Sequence, residues 1–131
     1  DSSTDCGADV CNAGVCEPAA PSFQCDATYA GCTEEDFAAN DKTGEVGSID
    51  VEIMPFAPYS PKCLRVAVGQ TVNIEASVSH PFEKVCAEDT VMDTQDGNTS
   101  DVSFTFTTPG YYNYKCLAHA PMVGNIQVVQ P

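Results

Sequence analysis

The chain has 131 residues, of which 43% are hydrophobic and 18% charged, enough for one domain with a modest core. Nineteen acidic residues against five basic ones give a formal net charge of -14, which repels phosphate backbones and anionic lipid headgroups. No apolar run approaches the roughly 20 residues that span a bilayer. We therefore expect no nucleic-acid partner and no membrane insertion, and a basic protein as the partner that the charge would attract.

The first part of the chain differs in composition from the rest. Residues 1–45 contain five of the eight cysteines and ten acidic residues, with Lys42 as the one base. They show almost no apolar periodicity, so they cannot bury enough surface to fold without cross-links. We predict a disulfide-rich, loop-rich acidic extension over residues 1–45 and a folded domain over residues 46–131. So many cysteines indicate an oxidising compartment, and the start lacks a signal-peptide pattern, so we expect a mature exported form.

From about Gly47 the sequence changes to short alternating segments separated by glycine and proline. Predicted strands cover residues 48–54, 63–68, 71–78, 102–106, 111–116 and 124–129. The prolines between residues 55 and 61 interrupt pairing, and the polar stretch 83–101 has room for a short helix between Phe82 and Asp96. Many short strands with turn signals between them predict an all-β sandwich of about seven strands.

A thiol, an imidazole and a thioether follow one another at the end of the 111–116 strand. They are Cys116, His119 and Met122, at positions i, i+3 and i+6. His80, which closes an earlier strand, is the other histidine of the chain. Two imidazoles, one thiolate and a weak axial thioether are the ligand set that selects copper for electron transfer. The spacing predicts one copper ion held by these four side chains.

The segment from Phe106 to Gly124 reads F-T-T-P-G-Y-Y-N-Y-K-C-L-A-H-A-P-M-V-G and resembles the ligand loop of the cupredoxins. The likeness extends over residues 46–131, through Val66-x-Val-Gly-Gln-Thr-Val72 and Ser79-His80-Pro81. It implies a Greek-key β-sandwich, with a type 1 (blue) copper bound by His80, Cys116, His119 and Met122. With two residues between the second histidine and the methionine, the loop is as short as that of the amicyanins.

The resemblance also implies a function. We expect a one-electron carrier, not an enzyme, that works as a monomer in the periplasm or outside the cell. Its partners would be redox proteins, such as a basic cytochrome or an oxidoreductase.

One position departs from the cupredoxin pattern. Many cupredoxins place asparagine after the first histidine, where its amide braces the cysteine loop, whereas this chain has Pro81. Proline has no backbone N–H to donate. Support for the Cys116 sulfur must therefore come from elsewhere in the chain.

Two other functions and several disulfide arrangements stay open at this point. The first is a copper-delivery or storage protein, whose site would be expected to be rich in methionine or exposed, and the three methionines of the chain argue against it. A non-metal extracellular binding domain would instead pair all eight cysteines, including Cys116, in four disulfides. A Cys32–Cys63 bridge would tie the extension to the first strands, and Cys86 would either anchor the extension or be the odd thiol.

Overall fold

The computed structural model describes residues 10–12, 15–17, 24–53, 59–93, 95, 97–117 and 119–130; at 10–12, 15–17 and 119–121 it describes the backbone alone. Two short strands, β1 (Val10–Asn12) and β2 (Val15–Glu17), form a hairpin, followed by a 3₁₀ turn (Tyr29–Gly31) and helix α1 (Glu34–Ala39). The remaining strands are β3 (Ile49–Ile53), β4 (Tyr59–Ser60), β5 (Cys63–Ala67), β6 (Thr71–Ile74), β7 (Phe82–Cys86), β8 (Val102–Thr105), β9 (Gly110–Cys116) and β10 (His119–Val129). In the described residues, no helix is long and apolar enough to cross a membrane.

Eight of these strands form two four-stranded sheets. The β6 sheet has the order β4-β3-β6-β8, and the β9 sheet has the order β5-β10-β9-β7. Each sheet contains one parallel pair, β3 with β6 and β5 with β10, among antiparallel neighbours. The predicted all-β sandwich is confirmed. The sequence pattern missed strand β7 and also β4, which pairs with β3 from within the 55–61 stretch that was expected to interrupt pairing.

A single hydrophobic core lies between the two sheets. Strand β3 buries Ile49 and Val51 and exposes Asp50 and Glu52, the alternation of a strand with one face on the core. The largest side chains that are fully buried are mostly aromatic: Tyr112, Tyr114, Phe37, Phe82, Phe104 and Phe106. All but Phe37 belong to the main core, so both sheets are held together by packed rings.

Residues 24–45, here called the cover segment, lie on the outer face of the β9 sheet. Two disulfides attach the segment to that sheet, Cys25–Cys86 to β7 and Cys32–Cys63 to β5. Phe37 of α1 packs with Cys32 and Cys63 in a second small core. The proposed Cys32–Cys63 bridge is thus confirmed, and Cys86 is an anchor rather than the odd thiol.

The cover segment has more regular structure than a loop-rich extension. Thr33 begins helix α1 as an N-cap: its hydroxyl accepts from the Asp36 N–H at 3.2 Å, and the Asp36 carboxylate accepts from the Thr33 N–H at 2.9 Å. This capping box satisfies two backbone donors at the start of a short helix. The T-x-x-D signal of this helix start is visible in the sequence.

Three predicted boundaries near the candidate ligands were wrong. The 71–78 strand ends at Ile74, because residues 77–80 form a tight turn instead. The stretch after Phe82 forms strand β7, and in the described residues from 82 to 93 it contains no helix. The last strand begins at His119 rather than at Gly124.

Candidate metal centre

Cys116 is the last residue of β9. Tyr112, Tyr114 and Cys116 alternate with outward residues and face the core, and Cys116 is fully buried. No disulfide includes Cys116. The reading in which all eight cysteines form four disulfides is therefore wrong, because this cysteine keeps its thiol.

His80 is held by a closed turn just before β7. The Ser77 N–H donates to the His80 carbonyl at 3.1 Å, and the His80 N–H donates to the Ser77 carbonyl at 3.0 Å. Two residues later, Phe82 is fully buried and pairs with Cys116 across β7 and β9. This pairing places the turn at the Cys116 end of the sheet, where His80 Nδ1 lies 3.7 Å from Cys116 Sγ.

His119 and Met122 enter the same end of the sandwich on strand β10. His119 pairs with Cys116 across β9 and β10, but its side chain lies outside the described residues. The register shifts between His119 and Val123, so the intervening residues are released from regular pairing. Met122 falls in this irregular segment and is buried in the main core, with 6% of its surface exposed.

The structure thus brings the sulfur of Cys116 and the ring of His80 together, and places His119 and Met122 at the same end of β9 and β10. Among the described side chains, which leave out that of His119, no three histidine, cysteine, aspartate or glutamate groups are close enough to hold a metal ion. Thioethers are outside that set of groups. The His119 ring and the Met122 sulfur are therefore both outside that set.

Pro81 braces the cysteine strand as a hydrogen-bond acceptor rather than as a donor. It has no N–H, but its carbonyl accepts from the Leu117 N–H at 3.0 Å. The N–H that directly follows Cys116 is therefore used by Pro81. This contact fixes the separation of the two chain segments that carry His80 and Cys116.

A tyrosine that the sequence analysis passed over lies close to these residues. Tyr59 of β4 is 2% exposed, and its ring meets the ring of Tyr114 edge-on, with 4.8 Å between centroids. Burial raises the pKa of Tyr59 above its usual range, and the charges of Cys116 and Tyr29 add to the rise. Tyr59 lies within the proline-rich stretch 55–61, which was read as a break in pairing, and no periodicity pointed to it.

Apolar side chains are exposed beside the candidate ligands. Val78, at the tip of the turn that holds His80, is 82% exposed, and Leu117, directly after Cys116, is 52% exposed. Isolated exposed apolar residues are ordinary, but these two flank the same centre. They give the surface near Cys116 and His80 an apolar character on an otherwise acidic protein.

Comparison with known proteins establishes the fold class. The chain superposes on pseudoazurin from Methylobacterium extorquens AM1 with a TM-score of 0.51 and 20% identity, over 64% of this chain and 76% of that one. Pseudoazurin from Hyphomicrobium denitrificans gives a TM-score of 0.51 and 24% identity, over 65% and 77% of the two chains. The protein therefore has the cupredoxin fold.

A larger protein contains the same fold. A copper-containing nitrite reductase from Thermus scotoductus SA-01 matches with a TM-score of 0.50 and 24% identity, over 66% of this chain but only 23% of that one. No family model matches the sequence, and no curated protein sequence matches it either.

Proposed function

We propose that this protein is a one-electron carrier with a mononuclear type 1 copper centre bound by His80, Cys116, His119 and Met122. The observation that carries the proposal is the approach of a buried thiol and an imidazole, 3.7 Å apart, at the end of a cupredoxin sheet. One metal ion could bind both donors, because the usual metal–sulfur and metal–nitrogen distances, about 2.3 Å and 2.1 Å for zinc, together exceed the 3.7 Å between these two atoms.

The donor set fits copper better than a hard cation. A thiolate and a thioether favour Cu(I), while imidazole nitrogen suits both oxidation states. When bound, copper supplies the one-electron step. The residues of the chain hold the donors: the 77–80 turn holds His80, and β9 holds Cys116, with the next N–H, that of Leu117, bonded to the Pro81 carbonyl. Burial of Cys116 and Met122 keeps bulk water away from both sulfur atoms.

A carrier without turnover is the function that this arrangement favours. Four ligands from the chain leave no open position for a substrate, in contrast to a catalytic metal. The likeness to nitrite reductase covers 23% of that enzyme's chain, so the fold also occurs as a part of larger copper proteins. Delivery or storage of copper remains the second candidate; a buried cysteine ligand argues against it, because an acceptor must reach the metal.

The partners and the compartment follow from charge and cross-links. The net charge of -14 favours a basic redox protein, such as a basic cytochrome or an oxidoreductase, through faster association. Two disulfides within the described residues favour the periplasm or the exterior of the cell. We infer a monomer that meets its partners transiently at the exposed apolar side chains near the ligands.

A visible absorption spectrum of the copper-loaded, oxidised protein tests the proposal. We expect a strong thiolate-to-copper band toward the red, absent from Cys116→Ala. Met122→Leu should shift the band and the reduction potential, whereas the matched control Met92→Leu, at another buried methionine, should change neither. Copper must stay bound through repeated oxidation and reduction. A colourless loaded protein would refute the thiolate ligand, and release of copper on reduction would instead support a delivery protein.

A further inference from the structure

One surface turn of the chain presents an asparagine for which the copper site has no use. The triplet Asn98-Thr99-Ser100 has the N-x-S/T pattern in which asparagine accepts an N-linked glycan. The chain has six asparagines, and Asn98 is the one that begins such a triplet. Because triplets of this kind also arise by chance, the structure around Asn98 decides whether a glycan fits there.

The backbone holds this turn against the start of β7. The Phe82 N–H donates to the Asn98 carbonyl at 2.9 Å, and the Gly97 N–H donates to the Phe82 carbonyl at 2.7 Å. The rest of the turn meets solvent, since Gly97, Thr99 and Ser100 are exposed and Asn98 is partly exposed. A Cβ built at Gly97 would meet nothing within 4 Å. A bulky group attached at Asn98 therefore has room to extend away from the protein.

The Asn98 side chain is bonded in a way that a glycan would not disturb. Its Oδ1 accepts from the Ser100 N–H at 3.2 Å and from the Ser100 hydroxyl at 3.1 Å. Its Nδ2 donates a hydrogen to Gln95 Oε1 at 3.0 Å. Glycosylation replaces one of the two Nδ2 hydrogens and leaves the other. All three hydrogen bonds can therefore be kept in the modified protein.

The asparagines beneath the cover segment show the opposite situation. Asn113 and Asn125 are 1% and 0% exposed, and both donate to the carbonyl of Asp26 in that segment. A glycan on either amide would displace the cover segment. Asn98 thus combines the acceptor triplet with a position at the surface.

We propose that Asn98 is the acceptor of an N-linked glycan. This inference rests on the proposed export of the chain, which its disulfides favour, and does not depend on copper. In the reaction, Asn98 Nδ2 attacks the anomeric carbon of a sugar that is carried on a lipid diphosphate. The new N–C bond replaces the C–O bond to the diphosphate. Nδ2 loses a proton, and the lipid diphosphate leaves.

The glycan would lie beside one edge of the β9 sheet. Strand β7 is the last strand of that sheet, and Asn98 pairs with Phe82 at the start of β7 as an isolated bridge. An edge strand offers its backbone groups to other chains unless something covers or blunts it. A glycan at Asn98 would therefore shield this edge, close to the turn that holds His80.

Expression of the full chain in a eukaryotic host cell that N-glycosylates its exported proteins tests the proposal. Mass spectrometry of the secreted protein should show the mass of a whole glycan, which peptide N-glycosidase removes. Asn98→Gln should lose this gain completely. Ser100→Ala and Thr99→Ala form a matched pair, since each removes one exposed hydroxyl. Ser100→Ala should lose the glycan, whereas Thr99→Ala should keep it, because the triplet needs a hydroxyl at its third position alone. Ser100→Thr, which restores that hydroxyl, should keep it too.

Three results would overturn the assignment of Asn98. Secreted parent protein without a glycan would show that the turn is not an acceptor. A gain in mass that persists in Asn98→Gln would place the glycan on another residue. A glycosylated chain that unfolds at a clearly lower urea concentration than the same chain made with N-glycosylation blocked would show that the turn does not accommodate the glycan. The mass is measured without copper, so absence of a glycan is told apart from absence of a copper centre.

Discussion

The outer faces of the two sheets differ in what lies on them. The outer face of the β6 sheet meets water, and its shallow depression is lined mainly by polar and acidic residues, among them Asp50, Glu52, Glu75 and Asp101. The outer face of the β9 sheet lies under the cover segment and buries three amides, Asn113, Asn125 and Gln127. The β6 sheet thus has one buried face, whereas the β9 sheet has two.

The buried amides are satisfied by the backbone of the cover segment. The Asn125 Nδ2 group donates to the carbonyls of Asp26, Ala27 and Tyr29 at 3.1–3.3 Å. Asn113 donates to the Asp26 carbonyl and accepts from the Asp26 N–H, both at 3.2 Å. The outer face of the β9 sheet is therefore built to receive a polar backbone, and its stability depends on the cover segment.

The largest effect is expected from cutting the long disulfide of the cover segment. The Cys25–Cys86 bridge joins residues 61 positions apart, so Cys25→Ala/Cys86→Ala should lose about 4 kcal/mol of unfolding free energy. Backbone amides of β9 and β7 should exchange with solvent faster, while those of β6 and β8 keep their protection. Hydrogen exchange by NMR measures this contrast; equal changes in both sheets would show that the cover segment stabilises the whole sandwich.

The second prediction compares the loss of stability on replacing an asparagine on each of the two outer faces. Asn125→Ala removes hydrogen bonds to three part-buried carbonyls and the buried one from Asn113, and should cost about 3 kcal/mol. Asn73, on the outer face of the β6 sheet, makes one 3.1 Å hydrogen bond to Asp50, so Asn73→Ala should cost less than about 0.5 kcal/mol. Urea unfolding gives both values. Similar losses at the two positions would mean that the faces do not differ in this way.

The same contrast explains how far the sequence could predict the fold. Strands of the β6 sheet alternate clearly, as in Val102–Thr105, because one face meets water. In β9 the consecutive residues Tyr112, Asn113 and Tyr114 are all buried. Because Asn113 is polar, the sequence does not reveal that the cover segment lies over it. The pairing of Cys32 with Cys63 was proposed from position alone, whereas the partner of Cys86 depended on where the cover segment folds.

Strand β7 was missed because its charged residues look like a loop. Glu83 and Lys115 pair across β7 and β9 at 3.1 Å, and Lys84 pairs with Asp93 at 2.7 Å. These partners lie 32 and 9 positions away, beyond the reach of a local alternation pattern. Cys116, His119 and Met122 could be proposed as ligands because they lie close together in one loop, and His80 because it is the other histidine of the chain. Tyr59 could not be found in this way, because its contact with Tyr114 joins two sheets.

The smallest expected effect is on the stability of the fold at acidic pH. The Thr43 hydroxyl and N–H, followed by Arg65, hold the pKa of Asp41 below its usual 3.8. A lowered pKa stabilises the fold above pH 3.8, and that contribution is lost as the pH falls through and below this value. Asp41 is largely exposed, so we expect less than about 1 kcal/mol after screening. Thr43→Ala should therefore narrow the difference in urea midpoint between pH 5 and pH 3. The matched control is Thr105→Ala on the β6 sheet, whose hydroxyl bonds Thr71 rather than a carboxylate. It should leave that difference unchanged, and an equal narrowing in both variants would locate the acid response outside the cover segment.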